Sequence, residues 1–296
     1  MQGSPRDLPP VIVALTAISS RVAQLDRVIV SLLHQSFPPA KILLAVSEEP
    51  YMLDEGVRLE MLPARLTALA IAGRVDILFV PNTGPYRKLL PALRRYAGQE
   101  RLIATADDDT IYPPHWLENL VETYRKKPAV VAYRCRAMPV MGGRFLPYSR
   151  WRILPAGPEA FAEAPPELHP LFTLPTGVRG VLYNSVFFPD LALLERLRQA
   201  APRQDDLAFK AAAMVAGIPV AIVEAETVVA APRFGSVQIA GETLFQQNKK
   251  HNDRAWSNIL ALLEAEGRFN LVALLGLRVC PRTSLGIAEL SPHESD

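Results

Sequence analysis

Short runs of β-prone apolar residues alternate, through the first half of the chain, with stretches whose apolar residues recur at helical spacing. Val11 to Thr16 is continuously apolar up to its last residue, the pattern of a strand covered on both faces. Val22, Leu25, Val28, Ile29, Leu32 and Leu33 then share one helical face, and Pro38-Pro39 predicts the stop. Further strands are predicted over Lys41 to Val46, Val75 to Val80, Arg101 to Ala106 and Val130 to Tyr133. Between them, Pro91 suits the first turn of a helix carrying Leu93 and Tyr96. Pro113-Pro114 opens another, with Leu117, Leu120, Val121 and Tyr124 on one side. Strand–helix alternation of this kind predicts an α/β fold with a doubly wound, mostly parallel sheet flanked by helices. Such sheets bind ligands beyond the carboxyl ends of their strands. Asp107-Asp108-Asp109 follows the fourth strand directly, so its position points to a site before its chemistry does.

The pattern then breaks. Residues 136–176 read as a mobile or irregular insertion, rich in proline and carrying Gly142-Gly143. Within it, Arg144, Phe145, Tyr148, Arg150, Trp151 and Arg152 mix cations with aromatics. That mixture reads as a hairpin rim, with an acidic glycan or a lipid headgroup as the functional alternative. Regular elements resume with a strand at Gly180 to Tyr183 and a helix at Leu191 to Arg198. Next come a helix from Leu207 to Ala216, closed by Gly217, a strand at Val220 to Val223, and a last helix from Arg254 to Glu266. The expected organisation is a flexible stretch over 1–10, a ligand-binding half over 11–135, a second half over 136–230 and a C-terminal helical segment over 231–296.

Composition narrows the classes. Thirty-two basic against thirty acidic residues give a net charge of +2, so no global field favours nucleic acid. The mean hydropathy is +0.11, and no run of about 18 apolar residues predicts a spanning helix. Phe269 to Val279 is too short and holds Arg278, so it reads as a core helix before one lying on a membrane. Met1 to Pro10 lacks the apolar stretch of a signal peptide. Cys135 and Cys280 match no metal-site spacing and read as buried free thiols of a reducing compartment. The expected location is the cytoplasm, with peripheral contact at the inner face of the membrane left open.

Chemistry enters with the carboxylates. In an extended chain residues two apart point the same way, so Asp107 and Asp109 share a face, their carboxylates roughly 6–7 Å apart. A hard divalent cation would relieve their repulsion and share its shell with a phosphate. The alternative is a solvated acidic turn with Asp109 or Thr110 helping to cap the next helix. Asp205-Asp206 precedes a helix, where negative charge is stabilising, and either residue is also a candidate general base.

The chain resembles a bacterial family-2-like glycosyltransferase with the GT-A fold, of the type that builds surface polysaccharides. The matching segments are Thr16 to Arg21, Ser31 to Gln35, Gly84 to Leu89, Ala106 to Pro113, Gly177 to Tyr183 and Asp205 to Phe209. Asn248 with Asn252-Asp253 matches more weakly. The resemblance implies a nucleotide-diphospho-sugar donor of UDP or GDP type, a glycan or lipid-linked hydroxyl acceptor, Mn2+ or Mg2+, and inversion at the anomeric carbon. Thr16 and Arg21 would line the nucleotide pocket, and Lys88 would meet phosphate or donor sugar. Asp107 would approach ribose or base, and Asp109, with Asp108, would hold the ion. Gly177, Arg179 and Gly180 would lie on the sugar and acceptor side, and Asp206 or Asp205 would be the base. His251 would complete the metal shell, as a late histidine does in some enzymes of this fold, although in its polar stretch it also reads as a surface residue. Ala208 departs from the family, which often has an aromatic after the second acidic pair. Two other readings remain, a sugar nucleotidyltransferase and a non-catalytic nucleotide- or sugar-binding module. The first usually brings a glycine-rich loop after the first strand, and Ala17 to Ser20 holds no glycine.

Overall fold

A computed structural model describes residues 8–155, 171–223, 233–237 and 251–275. The strands, in chain order, are β1 (Val11–Thr16), β2 (Lys41–Val46), β3 (Val75–Phe79), β4 (Leu102–Ala106), β5 (Thr110–Ile111), β6 (Val130–Ala132) and β7 (Arg134–Ala137). They continue as β8 (Val140–Met141), β9 (Arg144–Phe145), β10 (Ile153–Pro155), β11 (Thr173–Pro175), β12 (Val181–Asn184), β13 (Val220–Ile222) and β14 (Gly235–Ser236). The helices are α1 (Leu25–Leu33), α2 (Ala64–Ile71), α3 (Leu90–Arg95), α4 (Trp116–Lys126), α5 (Leu191–Ala200), α6 (Asp205–Val215), α7 (Asn252–Ala265) and α8 (Leu271–Leu274).

Among the described residues a seven-stranded sheet runs in the order β13-β6-β12-β4-β1-β2-β3. The continuous apolar runs lie at its centre: every residue of β4 is buried, and so is all of β1 but Thr16. Leu15 is level with Ala106, which sets the ends of β1 and β4, and hence Thr16 and Asp107, at one edge. The strand β12 is antiparallel to both neighbours, so the mostly parallel sheet expected is interrupted there. That reversal matters for the site. Val181 pairs with Thr105 and with Ala132, so the turn 177–180 arrives at the edge where β4 and β6 end.

Two local expectations are refined. The first helix ends at Leu33, short of Pro38, and a 3-10 turn, Ser19–Gln24, carries Val22 ahead of it. In the stretch expected to be irregular, β7 forms a small antiparallel sheet with β10 and β11. Its signal is the period of two in Arg134–Ala137, where the buried Cys135 and Ala137 alternate with two half-exposed arginines. Trp151 is core: it packs at 5.7 Å against Trp256 and 5.0 Å against Tyr148. The end of α6 follows expectation. Gly217 adopts φ +71°, and Ile218 N–H returns to the Ala213 carbonyl at 2.9 Å. Cys135 is buried and unpaired, whereas Cys280 and Asn248 lie outside the described residues, as do 1–7 of the N-terminal stretch and 276–279 of the apolar one. No helix among the described residues is long and apolar enough to cross a membrane.

Candidate active site

The three aspartates leave β4 on a braced turn. The Asp107 N–H donates to the Tyr112 hydroxyl at 2.6 Å, and the Tyr112 ring packs on Trp116 at 4.3 Å. Ser31 on α1 and Gln35 just past its end, whose place in the motif gave no role, hold this turn. Tyr112 N–H donates to Ser31 Oγ, Gln35 Nε2 donates to the Pro113 carbonyl, and Gln35 Oε1 accepts from Leu117 N–H. Sequence-distant groups thus fix where the carboxylates point.

Their repulsion is met by cations of the chain itself. Lys88 Nζ donates to Asp107 Oδ1 at 2.8 Å. Arg21 Nη1 donates to Asp108 Oδ1 at 2.8 Å and to Asp109 Oδ2 at 3.2 Å. Asp108 is nearly buried, and that burial raises its pKa against the opposing pull of Arg21. Asp109 is the open one, with its side chain 37% exposed.

The second acidic pair begins α6, the helix whose residues Leu207 to Met214 are all buried. Asp206 accepts the Gly177 N–H on both oxygens at 3.1 Å. Burial, then the neighbouring Asp205, pushes the Asp206 carboxyl up to about 7. Burial likewise raises Asp205. Burial alone would lower Lys88, yet Asp107, Asp205 and Asp206 together outweigh it and raise that ammonium. One lysine therefore binds the two acidic groups of the sequence into a single electrostatic unit.

These residues line a cavity of about 320 Å³. Thr16, Arg21, Lys88, the three aspartates, Gly177, Asp205 and Asp206 all border it, so nine of the positions picked from the sequence converge. Arg179 and Gly180 do not border it, although they directly follow the lining residues Gly177 and Val178. Arg179 sits at φ +69°, held by Trp116 Nε1 donating to its carbonyl at 2.7 Å. His251 caps α7 from an exposed position next to the lining residue Asn252, and does not border the cavity itself.

Among the lining residues that the sequence did not single out, Asp54 and Arg87 form a buried ion pair. Asp54 is buried and accepts from Arg87 Nη2 at 2.6 Å, Ser19 N–H at 2.9 Å and Gly56 N–H at 3.1 Å. It ties the loop after β1 to the segment that carries Lys88. The surrounding loop shows no hydrophobic period, and its Asp54-Glu55-Gly56 turn was the one available signal. Arg87 leaves Nη1 buried without a partner, and Arg21 does the same with Nε. Two unspent cationic donors in the lining favour an acceptor-rich ligand.

Gly180 and Gly177 are constrained differently. A Cβ on Gly180, at φ +93°, would meet the Trp116 ring at 2.6 Å and the Thr105 carbonyl at 2.9 Å. On Gly177 it would meet Lys88 Nζ at 3.0 Å and Asp206 Oδ1 at 3.3 Å. Gly180→Ala is expected to destabilise the fold by about 2–4 kcal/mol in denaturant unfolding. Gly177→Ala should cost under about 1 kcal/mol of stability, because the Lys88 side chain can shift, but should lower turnover. Equal stability of the two variants would contradict this account.

A divalent cation fits the donor chemistry in part. Six carboxylates against four cationic side chains line the cavity, a nominal excess of two negative charges. All the acidic donors are oxygen, as Mg2+ or Mn2+ prefers. No group of three or more His, Cys, Asp or Glu among the described residues is arranged to hold a metal alone. An ion here would take Asp109 and a neighbouring carboxylate, with the rest of its shell from a bound phosphate.

Comparison with known proteins agrees with the motifs. Residues 63–181 match glycosyl transferase family 2. That match covers less than half of the chain, and the family-2-like resemblance holds over it, from Pro63 through the aspartates to Val181. Among solved structures, S. aureus TarS 1-349 in complex with UDP-GlcNAc superposes with a TM-score of 0.50 at 16% identity, covering 87% of this chain and 66% of that one. Another TarS 1-349 structure gives 0.43 at 19% identity, covering 72% and 57%. Glucosyl-3-phosphoglycerate synthase from Mycobacterium tuberculosis gives 0.42 at 14% identity, covering 88% and 80%. The chain thus spans 57% to 66% of the length of these two TarS structures. The fold is α/β and GT-A-like. No curated protein matches the chain.

Proposed function

We propose that this site transfers a sugar from a nucleotide-diphospho-sugar to a hydroxyl of a glycan or lipid-linked acceptor, with inversion, in surface polysaccharide synthesis. The observation that carries this reading is the cavity in which Lys88 joins Asp107 to Asp205 and Asp206. The diphosphate would lie against Arg21, Lys88 and Asp109, with Mn2+ or Mg2+ between it and the carboxylates. Such an ion supplies Lewis-acid stabilisation of charge on the leaving group. Asp206 would take the proton of the attacking hydroxyl. Its carboxyl, pushed up to about 7, is basic enough to accept a proton and still ionised in good part at neutral pH. Gly177 N–H fixes that carboxylate through both oxygens. A UDP-linked donor, of the kind named in the TarS complex, is the first to test, with a GDP-linked one beside it.

The test is product identity. Incubation with UDP- and GDP-sugars and Mn2+ is expected to release free nucleoside diphosphate, with Asp206→Asn nearly silent. Pyrophosphate as the product would replace sugar transfer with nucleotidyl transfer. Nucleotide binding without release across a broad acceptor panel would leave a binding module.

A further inference from the structure

Lys88, Arg21 and Arg87 each pair with a carboxylate. Three other arginines, Arg134 with Arg136 and Arg179 grouped around it, do not. Among the described residues no salt bridge reaches Arg134, Arg136 or Arg179. Opposed residues of an antiparallel pair project to the same face, and Arg136 is opposite Leu174, a lining residue of the cavity. Arg134, two residues earlier on β7, shares that face, while Cys135 and Ala137 point into the core. Neither borders the cavity itself, but both project to the strand face that the lining residue Leu174 shares, next to the cavity wall.

Their setting is built rather than loose. The Arg136 guanidinium lies over the Tyr148 ring at 5.0 Å and donates from Nη1 to the Trp151 carbonyl at 2.8 Å. Tyr148, also in the lining, is held by its N–H donating to Asp253 Oδ1 at 2.6 Å. Arg134 is half-buried, and burial together with Arg136 and Arg179 pushes its pKa down. Asp206 pulls it the other way, and Tyr148 feels Arg134, Arg136 and Asp206 together. Arginine keeps its charge under such pressure, so the like-charge cost persists until an anion meets it.

We infer that the acceptor carries an anionic oxygen group, a phosphate or a carboxylate, seated on Arg134 and Arg136 beside the hydroxyl that Asp206 would deprotonate. This deepens the transferase reading and rests on it for the word acceptor. The arginines implied here lie on β7, ahead of Arg144 on β9 and of Arg150 and Arg152, the cations the sequence pattern drew attention to.

Calorimetric titration of glycerol 3-phosphate, glycerate and glycerol tests the inference, on the full chain alone and with UDP present to occupy the donor side. At least one of the two anions should bind and glycerol should not. The phosphate and carboxylate arms tell the two sources apart. Arg134→Gln and Arg136→Gln should each weaken the bound anion by roughly tenfold or more, and Arg134→Lys by less, since it keeps the charge but not the fork. Added salt should weaken the anion further. No anion binding, equal binding of all three probes, or binding unchanged in the double variant would overturn the inference. UDP failing to bind while Arg134-dependent anion binding persists would instead tell against the donor assignment.

Discussion

Asp206→Asn is expected to lower the rate of sugar transfer by about 10²–10⁴-fold, the range for loss of a general base. Asparagine keeps the shape but can receive the Gly177 N–H on one oxygen where aspartate offers two, and it cannot take up a proton. The wild-type pH profile should show an acid limb near the value to which burial and Asp205 push this carboxyl, about 7. Rate rises with pH through that limb, because the base acts ionised. Stability should move oppositely. A carboxyl raised in the folded state holds its proton there after the unfolded chain has lost it, so wild-type stability falls as pH climbs from the ordinary aspartate range toward about 7. The variant has no such loss. Its melting temperature should therefore exceed the wild type's by more at pH 8 than at pH 5. An inactive variant with no pH-dependent gain would mean that Asp206 is not the strained carboxyl described.

Lys88→Met should be nearly as damaging, for another reason. Methionine has similar length and no charge, so three carboxylates would face one cavity without their shared cation. Removing one partner of a poorly solvated pair leaves the others uncompensated, and a loss of about 10²–10³-fold in kcat/KM is expected. The informative readout is the pH profile. Without the ammonium, Asp206 should hold its proton more tightly, so the acid limb should move above the wild-type position. Lys88→Arg should rescue only in part, since Gly177 offers the larger head little room: even a Cβ there would lie 3.0 Å from Nζ. An acid limb that stays put while activity falls would reduce Lys88 to a contact with donor alone.

Much of this was legible before any coordinates. The apolar runs at Val11, Lys41 and Leu102 became β1, β2 and β4 because strands inside the sheet carry no alternation to confuse their reading, and the run at Val75 became the edge strand β3. Asp107 could be placed at the ligand edge from its strand alone. The antiparallel β12 was not legible, since four residues covered on both faces look alike in either direction. Nor was the small sheet around β7, whose short strands are separated by proline and glycine. Asp54 escaped because its role comes from partners spread over several segments, while its own loop has no period. Repulsion between Asp107 and Asp109 pointed to a cation, and the structure supplies two from the protein, Lys88 and Arg21. The case for a divalent ion therefore rests on Asp109 and on the excess of carboxylates in the lining.

Isothermal titration of UDP and GDP, with Mn2+ and then with excess chelator, tests the donor site most directly. One nucleoside diphosphate is expected to bind with Mn2+, to lose most of its affinity on chelation, and to lose it also in Asp109→Ala. No heat from either nucleotide under any condition, with the protein folded, would contradict the account.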